Sequence, residues 1–160
     1  LVTKTRKLQS RKTIHIEWGD CDPAQIVHFP RFFAYFDACT TALFKKAGLS
    51  KPQMLKTYRI VGIPLVDVHA SFRAPSRFDD EVEVVSEIVE VRRSSFSVRH
   101  QLFNTGTLAV ECIETRVWAR RSEKDPEKIE SAPIPPKVVE LLTMGGRGNR
   151  SPRNSHRKTG

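Results

Sequence analysis

The chain has 160 residues, three cysteines and a formal net charge of +9. That length fits one domain able to bury a core without staples, and no apolar run approaches the ~18 residues of a membrane span. The charge invites a nucleic-acid reading until it is located: residues 1–12 and 145–160 each hold five Lys/Arg and no acid, whereas residues 13–144 carry 17 basic against 18 acidic side chains.

The expected organisation is a basic N-terminal extension over 1–12, one folded domain over 13–144, and a basic tail over 145–160. The tail lacks apolar residues and reads as disordered. The folded body is not a basic nucleic-acid binder. The start of the chain is polar, without the apolar segment of a secretory signal. Cys21, Cys39 and Cys112 are odd in number and widely spaced, and read as free thiols in a reducing cytoplasm.

From Lys12 to Trp18, Ile14, Ile16 and Trp18 alternate on one face of a strand. Gly19-Asp20-Cys21-Asp22-Pro23 breaks it with turn chemistry. Pro30 then opens a helix that runs to Ala47, with Gly48 placed to end it. Phe32, Phe36, Cys39 and Leu43 form its apolar stripe, widened by Phe29, Phe33, Thr40 and Phe44. Such a helix lies half-buried against something broad and flat.

Four strands follow. Val66, Val68, Ala70 and Phe72 alternate in the first; Glu81–Val91 is the second, with a register shift near Val84-Val85 that suggests a bulge. The third, Ser95–Phe103, carries Phe96, Val98, His100 and Leu102 on one face, and Asn104-Thr105-Gly106 turns it into a long last strand, Thr107–Arg121. Pro133–Leu142 reads as a short peripheral helix. One strand, a long helix and a run of strands predict an α+β fold, an antiparallel five-stranded sheet wrapped around one long central helix.

Asp20 and Asp22 flank Cys21 in a loop that feeds a helix N-terminus. Two readings stand: turn-forming aspartates, or a carboxylate in a dry pocket that attacks a carbonyl or activates water. Cys21 reads as structural, because no base and orienter are readable beside it. His28, at the helix start, reads as a pocket wall rather than a base. No histidine spacing matches a zinc site, and the glycine-rich and G-x-S-x-G motifs of dinucleotide, P-loop and hydrolase chemistry are missing. Arg92-Arg93-Ser94-Ser95 is either a solvated turn or a phosphate-binding one, since paired guanidiniums with hydroxyls match phosphate oxygens.

The run from Asp20-Cys21-Asp22-Pro23 through Ile26-Val27-His28-Phe29-Pro30 resembles the signature of the 4-hydroxybenzoyl-CoA thioesterase family. Ile60-Val61-Gly62-Ile63-Pro64, Ala70-Ser71-Phe72, Asp79-Asp80, Arg92-Arg93 and Ser95-Phe96 look like the same family's landmarks in the same order, over about residues 12–140. The resemblance implies the hotdog fold and hydrolysis of an acyl-CoA thioester. It makes Asp20 the catalytic carboxylate, nucleophile or base, and the Phe29 backbone N–H the donor that polarises the carbonyl. It also implies that Arg92 and Arg93 meet the phosphates of coenzyme A, with Ser94 counted beside them where a third basic residue would be welcome. His28 and Ile63 are expected to border the acyl group, and Asp37, at the edge of the apolar arc of the helix, either reaches a substrate hydroxyl or pairs with a neighbouring side chain. A neighbouring branch, associated with the Tol-Pal envelope system, carries histidine where this chain has Phe29, which favours the aryl-type branch. Gln25 replaces a small residue usual in the loop.

The expected activity is therefore a cytoplasmic thioesterase preferring an aromatic, 4-hydroxybenzoyl-like acyl group, with a short-chain aliphatic acyl group as the alternative. No cofactor is expected, since coenzyme A is part of the substrate. The expected partner is a second copy, in a dimer or tetramer with the site at a subunit interface. A non-catalytic acyl-thioester-binding hotdog module is the rival from another class. A third reading makes the basic tails tethers to RNA or anionic membrane.

Overall fold

A computed structural model describes residues 7–145. In chain order it contains β1 (Gln9–His15), α1 (Pro30–Lys46), α2 (Lys51–Tyr58), β2 (Leu65–Phe72), β3 (Glu81–Val91), β4 (Ser95–Asn104), β5 (Thr107–Val117), β6 (Ala119–Arg121), β7 (Ile129–Ser131) and α3 (Pro136–Thr143). Five strands form one antiparallel sheet in the order β1-β3-β4-β5-β2, while β6 and β7 pair separately. At 17 residues, α1 is the longest of the three helices among the described residues. The α+β reading holds.

The sheet curls around α1 because apolar side chains alternate on its inner face. Phe32, Phe36, Cys39, Thr40, Leu43 and Phe44 of α1 are buried. Against them stand Val82, Val84 and Ile88 of β3, Phe96, Val98 and Leu102 of β4, and Val110 and Cys112 of β5. Full burial of such a side chain is worth roughly 1.5–3 kcal/mol, so this helix–sheet contact dominates the fold. Val138 and Leu142 of α3 close the far end of the core beside Trp118. Gly48 takes φ +82°, just past Ala47, and ends α1 as its position predicts. Thr105 and Gly106, at φ +47° and +80°, make the tight β4–β5 turn.

Several local expectations are corrected. The first strand spans Gln9–His15 rather than Lys12–Trp18, so residues 9–12 of the basic extension lie in the sheet, and Leu8 is buried in the core. Trp18 leaves the strand in a short 3-10 turn and is exposed. In β3 the irregularity falls between Ile88 and Glu90, not at Val84-Val85, whose pairing with β1 and β4 is unbroken. Val85 is merely an apolar residue on the outer face. The last strand ends at Val117, because Trp118 turns into the core and sends Ala119–Arg121 to pair with β7. Helix α2 went unread: only Met54 of its eight residues is buried, so the apolar period is too thin to see. The tail from 146 onward lies outside the described residues.

Edge strand β2 is unusual. Leu65, Val66, Val68 and Phe72 are all exposed, and only β5 pairs with this strand among the described residues. An uncovered apolar edge is a template for another strand.

Candidate active site

After β1 the chain makes one 3-10 turn, Trp18–Asp20, and then reverses. The reversal is closed by Gln25 N–H to Asp22 O at 2.8 Å and Asp22 N–H to Ile26 O at 2.9 Å. Asp22 Oδ1 accepts the Ala24 N–H at 2.8 Å, an Asx turn. Gln25 sits in the left-handed region at φ +63°, where a residue with a Cβ is strained. The loop is held down by the Val27 N–H bond to Ser76 O at 2.9 Å. Of the two loop aspartates, Asp22 is thus a turn former.

Asp20 is placed differently. Its Oδ2 accepts two hydrogen bonds, from the Glu17 N–H at 3.0 Å and the Tyr35 hydroxyl at 2.7 Å. Its Oδ1 lies 3.3 Å from Arg31 Nε, and Arg31 Nη2 also donates to Gly19 O at 3.3 Å. Tyr35 and Arg31 share one face of α1 at i and i+4, which is why both reach back to the loop. Burial, then the hydrogen bond from Tyr35 to Asp20, push the Tyr35 phenol well above its ordinary range, so it stays protonated as a donor. The Asp20 side chain is 13% exposed.

The loop delivers the chain to α1. His28 N–H donates to Asp20 O at 2.8 Å, and Arg31 and Phe32 N–H groups donate to His28 O and Phe29 O. Pro30 has no N–H to give. Among the described residues the Phe29 N–H has no acceptor, which leaves a free donor at the positive end of a 17-residue helix. A cavity of about 530 Å³ opens here, lined chiefly by Val27, His28, Phe29, Phe32, Phe72 and Ala74. Asp20 does not line it. On the other side of the loop a second cavity, about 540 Å³, is bordered by Trp18, Cys21, Gln25, Arg77 and Phe78.

The other expected site residues lie elsewhere in the chain. Ile63 is buried and borders a third cavity of about 600 Å³ with Lys51 and Arg116. Asp37 is not free: Arg116 Nη2 donates to it at 2.9 Å, and Lys51 Nζ lies 3.9 Å away. Arg92 and Arg93 form the β3–β4 turn, closed by Arg92 N–H to Ser95 O at 2.8 Å, and Arg92 also pairs with Glu90 at 2.6 Å. Ser94 O and Arg93 O accept the Trp118 and Ile134 N–H groups, so backbone, not side chains, fixes the turn. The start of β3 adjoins the Asp20 loop through Ile16 N–H to Asp80 O at 2.9 Å. Since β3 has 11 residues, its far end lies about 33 Å away. Asp20, His28 and Phe29 come together within one chain; Asp37 with Ile63, and the arginine pair, do not join them.

A buried polar row was missed. Ser86 Oγ lies 2.7 Å from His100 Nδ1; His100 Nε2 lies 3.4 Å from Glu114 Oε2 and 3.2 Å from Thr40 Oγ1. Thr40 Oγ1 donates to Glu114 at 3.1 Å, and Arg116 Nε donates to it at 2.8 Å. Burial alone would raise the Glu114 carboxyl, but bonds from His100 and Arg116 outweigh it and hold it down at about 2. The legible signal was Glu114 and Arg116 at inward positions of an otherwise apolar alternation. Among the described residues no three His, Cys, Asp or Glu side chains are grouped to hold a metal ion.

The family model for the thioesterase-like superfamily matches residues 16–142. The chain is 36% identical over 134 residues to the 4-hydroxybenzoyl-CoA thioesterase of Pseudomonas sp. strain CBS-3, covering 80% of this chain and 93% of that one. The solved structure of that enzyme superposes with a TM-score of 0.77, at 33% identity over 83% of this chain and 98% of that one. Its aspartate-to-asparagine variant has been solved with 4-hydroxybenzoyl-CoA and superposes at 0.78, at 33% identity over 84% of this chain and 99% of that one. A gentisyl-coenzyme A thioesterase superposes at 0.71, with 28% identity over 81% of this chain and 99% of that one. With a matched sequence model, a matched fold and a carboxylate beside an open helix N-terminus, the chain belongs to the thioesterase-like superfamily and has the hotdog fold.

Proposed function

We propose that this chain hydrolyses an aromatic acyl-CoA thioester to the free acid and coenzyme A. The observation that carries the reading is the Asp20 carboxylate one short loop from the unpaired Phe29 N–H. In the reaction, water or Asp20 adds to the thioester carbonyl, and the Phe29 N–H receives the oxyanion that develops. A single such donor is worth roughly 2.7–4 kcal/mol in the transition state. The C–S bond then breaks and coenzyme A leaves as thiolate, to be protonated. If water attacks, Asp20 takes its proton; if Asp20 attacks, a mixed anhydride forms and water hydrolyses it at the Asp20 carbonyl, so that the acid leaves with an oxygen from Asp20. Water and these groups suffice, with no cofactor.

The apolar cavity beside Phe29, Phe32 and Phe72 suits a planar ring, and the identity to the Pseudomonas enzyme supports a 4-hydroxybenzoyl-like acyl group. Ile63 belongs to another cavity, whose Arg116 and Lys51 also hold Asp37, and Arg92 and Arg93 lie at the far end of β3. In this reading a second subunit, paired through the exposed β2 edge, supplies those contacts, the arginines binding the phosphates of coenzyme A. Three free thiols suit a cytoplasmic site of action.

The test is hydrolysis of benzoyl-, 4-hydroxybenzoyl- and short aliphatic acyl-CoAs by wild type, Asp20→Asn and Asp20→Ala. Aromatic substrates are expected to turn over fastest, and both variants to lose at least about a hundredfold in kcat. Retention of most activity by Asp20→Ala sinks the assignment; faster aliphatic turnover overturns the acyl class. A single turnover in ¹⁸O-water separates the two roles of Asp20: attack by the carboxylate gives a first product without label, direct attack by water a labelled one.

A further inference from the structure

The geometry points to Tyr35 as a positioning residue that pins one oxygen of Asp20 and leaves the other to react. This rests on the reading of Asp20 as the reacting carboxylate. The two carboxylate oxygens are not equivalent. Oδ2 accepts both the Glu17 N–H at 3.0 Å and the Tyr35 hydroxyl at 2.7 Å. Oδ1 has only the Arg31 guanidinium, with Nε at 3.3 Å and its side chain half exposed. Two short bonds from backbone and a half-buried phenol are fixed; one long contact from a solvated, rotamer-rich arginine is not. Oδ1 is therefore the oxygen that becomes available when Arg31 swings aside, and Oδ2 is the hinge that keeps its direction.

Tyr35 suits this task. It projects from the first turns of α1, the element that also carries the Phe29 N–H. Its ring packs edge-on against Phe32, with centroids 6.0 Å apart. One rigid helix thus sets the carboxylate and the oxyanion donor in a common frame. Loss of the hydroxyl would leave Oδ2 held by the Glu17 N–H alone, with only the long Arg31 contact on Oδ1 to oppose rotation about the Cβ–Cγ bond. Misplacement of a reacting group on that scale costs rate, not substrate affinity.

The experiment compares wild type, Tyr35→Phe, Asp20→Asn, and a protein with 3-fluorotyrosine at position 35, which keeps the hydroxyl as a stronger donor and is nearly isosteric. For Tyr35→Phe, kcat is expected to fall about 10- to 100-fold with KM within about twofold. The fluorotyrosine protein, which keeps the hydroxyl, should hold kcat within about twofold of wild type. A purely structural tyrosine would lower the melting temperature and leave the kcat of the folded protein in place. If Asp20→Asn abolishes hydrolysis while folded Tyr35→Phe keeps the wild-type kcat, this inference is overturned and the proposed function stands. If Asp20→Asn hydrolyses at the wild-type rate, both fall together.

Discussion

Arg116 donates through Nε to Glu114 Oε2 at 2.8 Å, and the two charges are sealed between α1 and the sheet with 8% and 2% of their side chains exposed. A buried pair of this kind is costly to break, because removing Glu114 leaves the buried Arg116 with the exposed Asp37 as its one remaining carboxylate. Glu114→Gln is expected to destabilise the protein by about 3–5 kcal/mol at neutral pH. The same pair sets an acid dependence. Glu114 ionises near 4.5 when unfolded and near 2 when folded, so its contribution is complete above about pH 4.5 and is lost as the pH falls towards 2. On the order of 3 kcal/mol is involved. Urea unfolding at pH 7, 4 and 3 should show wild type losing stability over that range. The variant should lack this component; equal pH slopes for the two proteins would refute it.

The three cysteines are predicted to differ sharply towards an alkylating agent. Burial is the main cause that pushes the Cys39 thiol up to about 11 and the Cys112 thiol up to about 12. Cys21 instead borders the cavity beside Trp18 and is only partly covered. At pH 8, iodoacetamide should label Cys21 in the native protein, and Cys39 and Cys112 only in denaturant. Peptide mass spectrometry reads this directly; native labelling of Cys112 at the rate of Cys21 would contradict the packing of β5 against α1.

Much of the fold was legible because its signals are local. The Phe32, Phe36, Cys39, Leu43 stripe announces α1, and the alternation of Phe96, Val98, His100 and Leu102 announces β4. What escaped is decided by distant neighbours. Trp118 reads as a strand residue until α3 and Tyr58 claim it for the core. Trp18 continues an apolar alternation, yet the chain has already begun its turn. In the site, Asp20 and the Phe29 N–H were legible as loop and helix start, whereas Tyr35 lies 15 residues beyond its partner and Arg116 lies 79 beyond Asp37. Such pairings exist only once the helix is laid on the sheet.

The length of β3 has a consequence for mixed assemblies. With the Asp20 loop near one end and Arg92-Arg93 just past the other, a strand about 33 Å long between them, a site that needs both is expected to borrow one from a neighbour. Two crippled proteins, Asp20→Asn and Arg92→Ala/Arg93→Ala, should then rescue each other. Unfolded and refolded together in equal amounts, they form some sites with an intact aspartate from one parent and intact arginines from the other. Random assortment restores about a quarter of wild-type activity at substrate levels below KM. No recovery would mean that each chain works alone. A gene carrying either lesion would thus be complemented by a copy carrying the other, so inheritance of this activity would follow the assembly rather than the single chain.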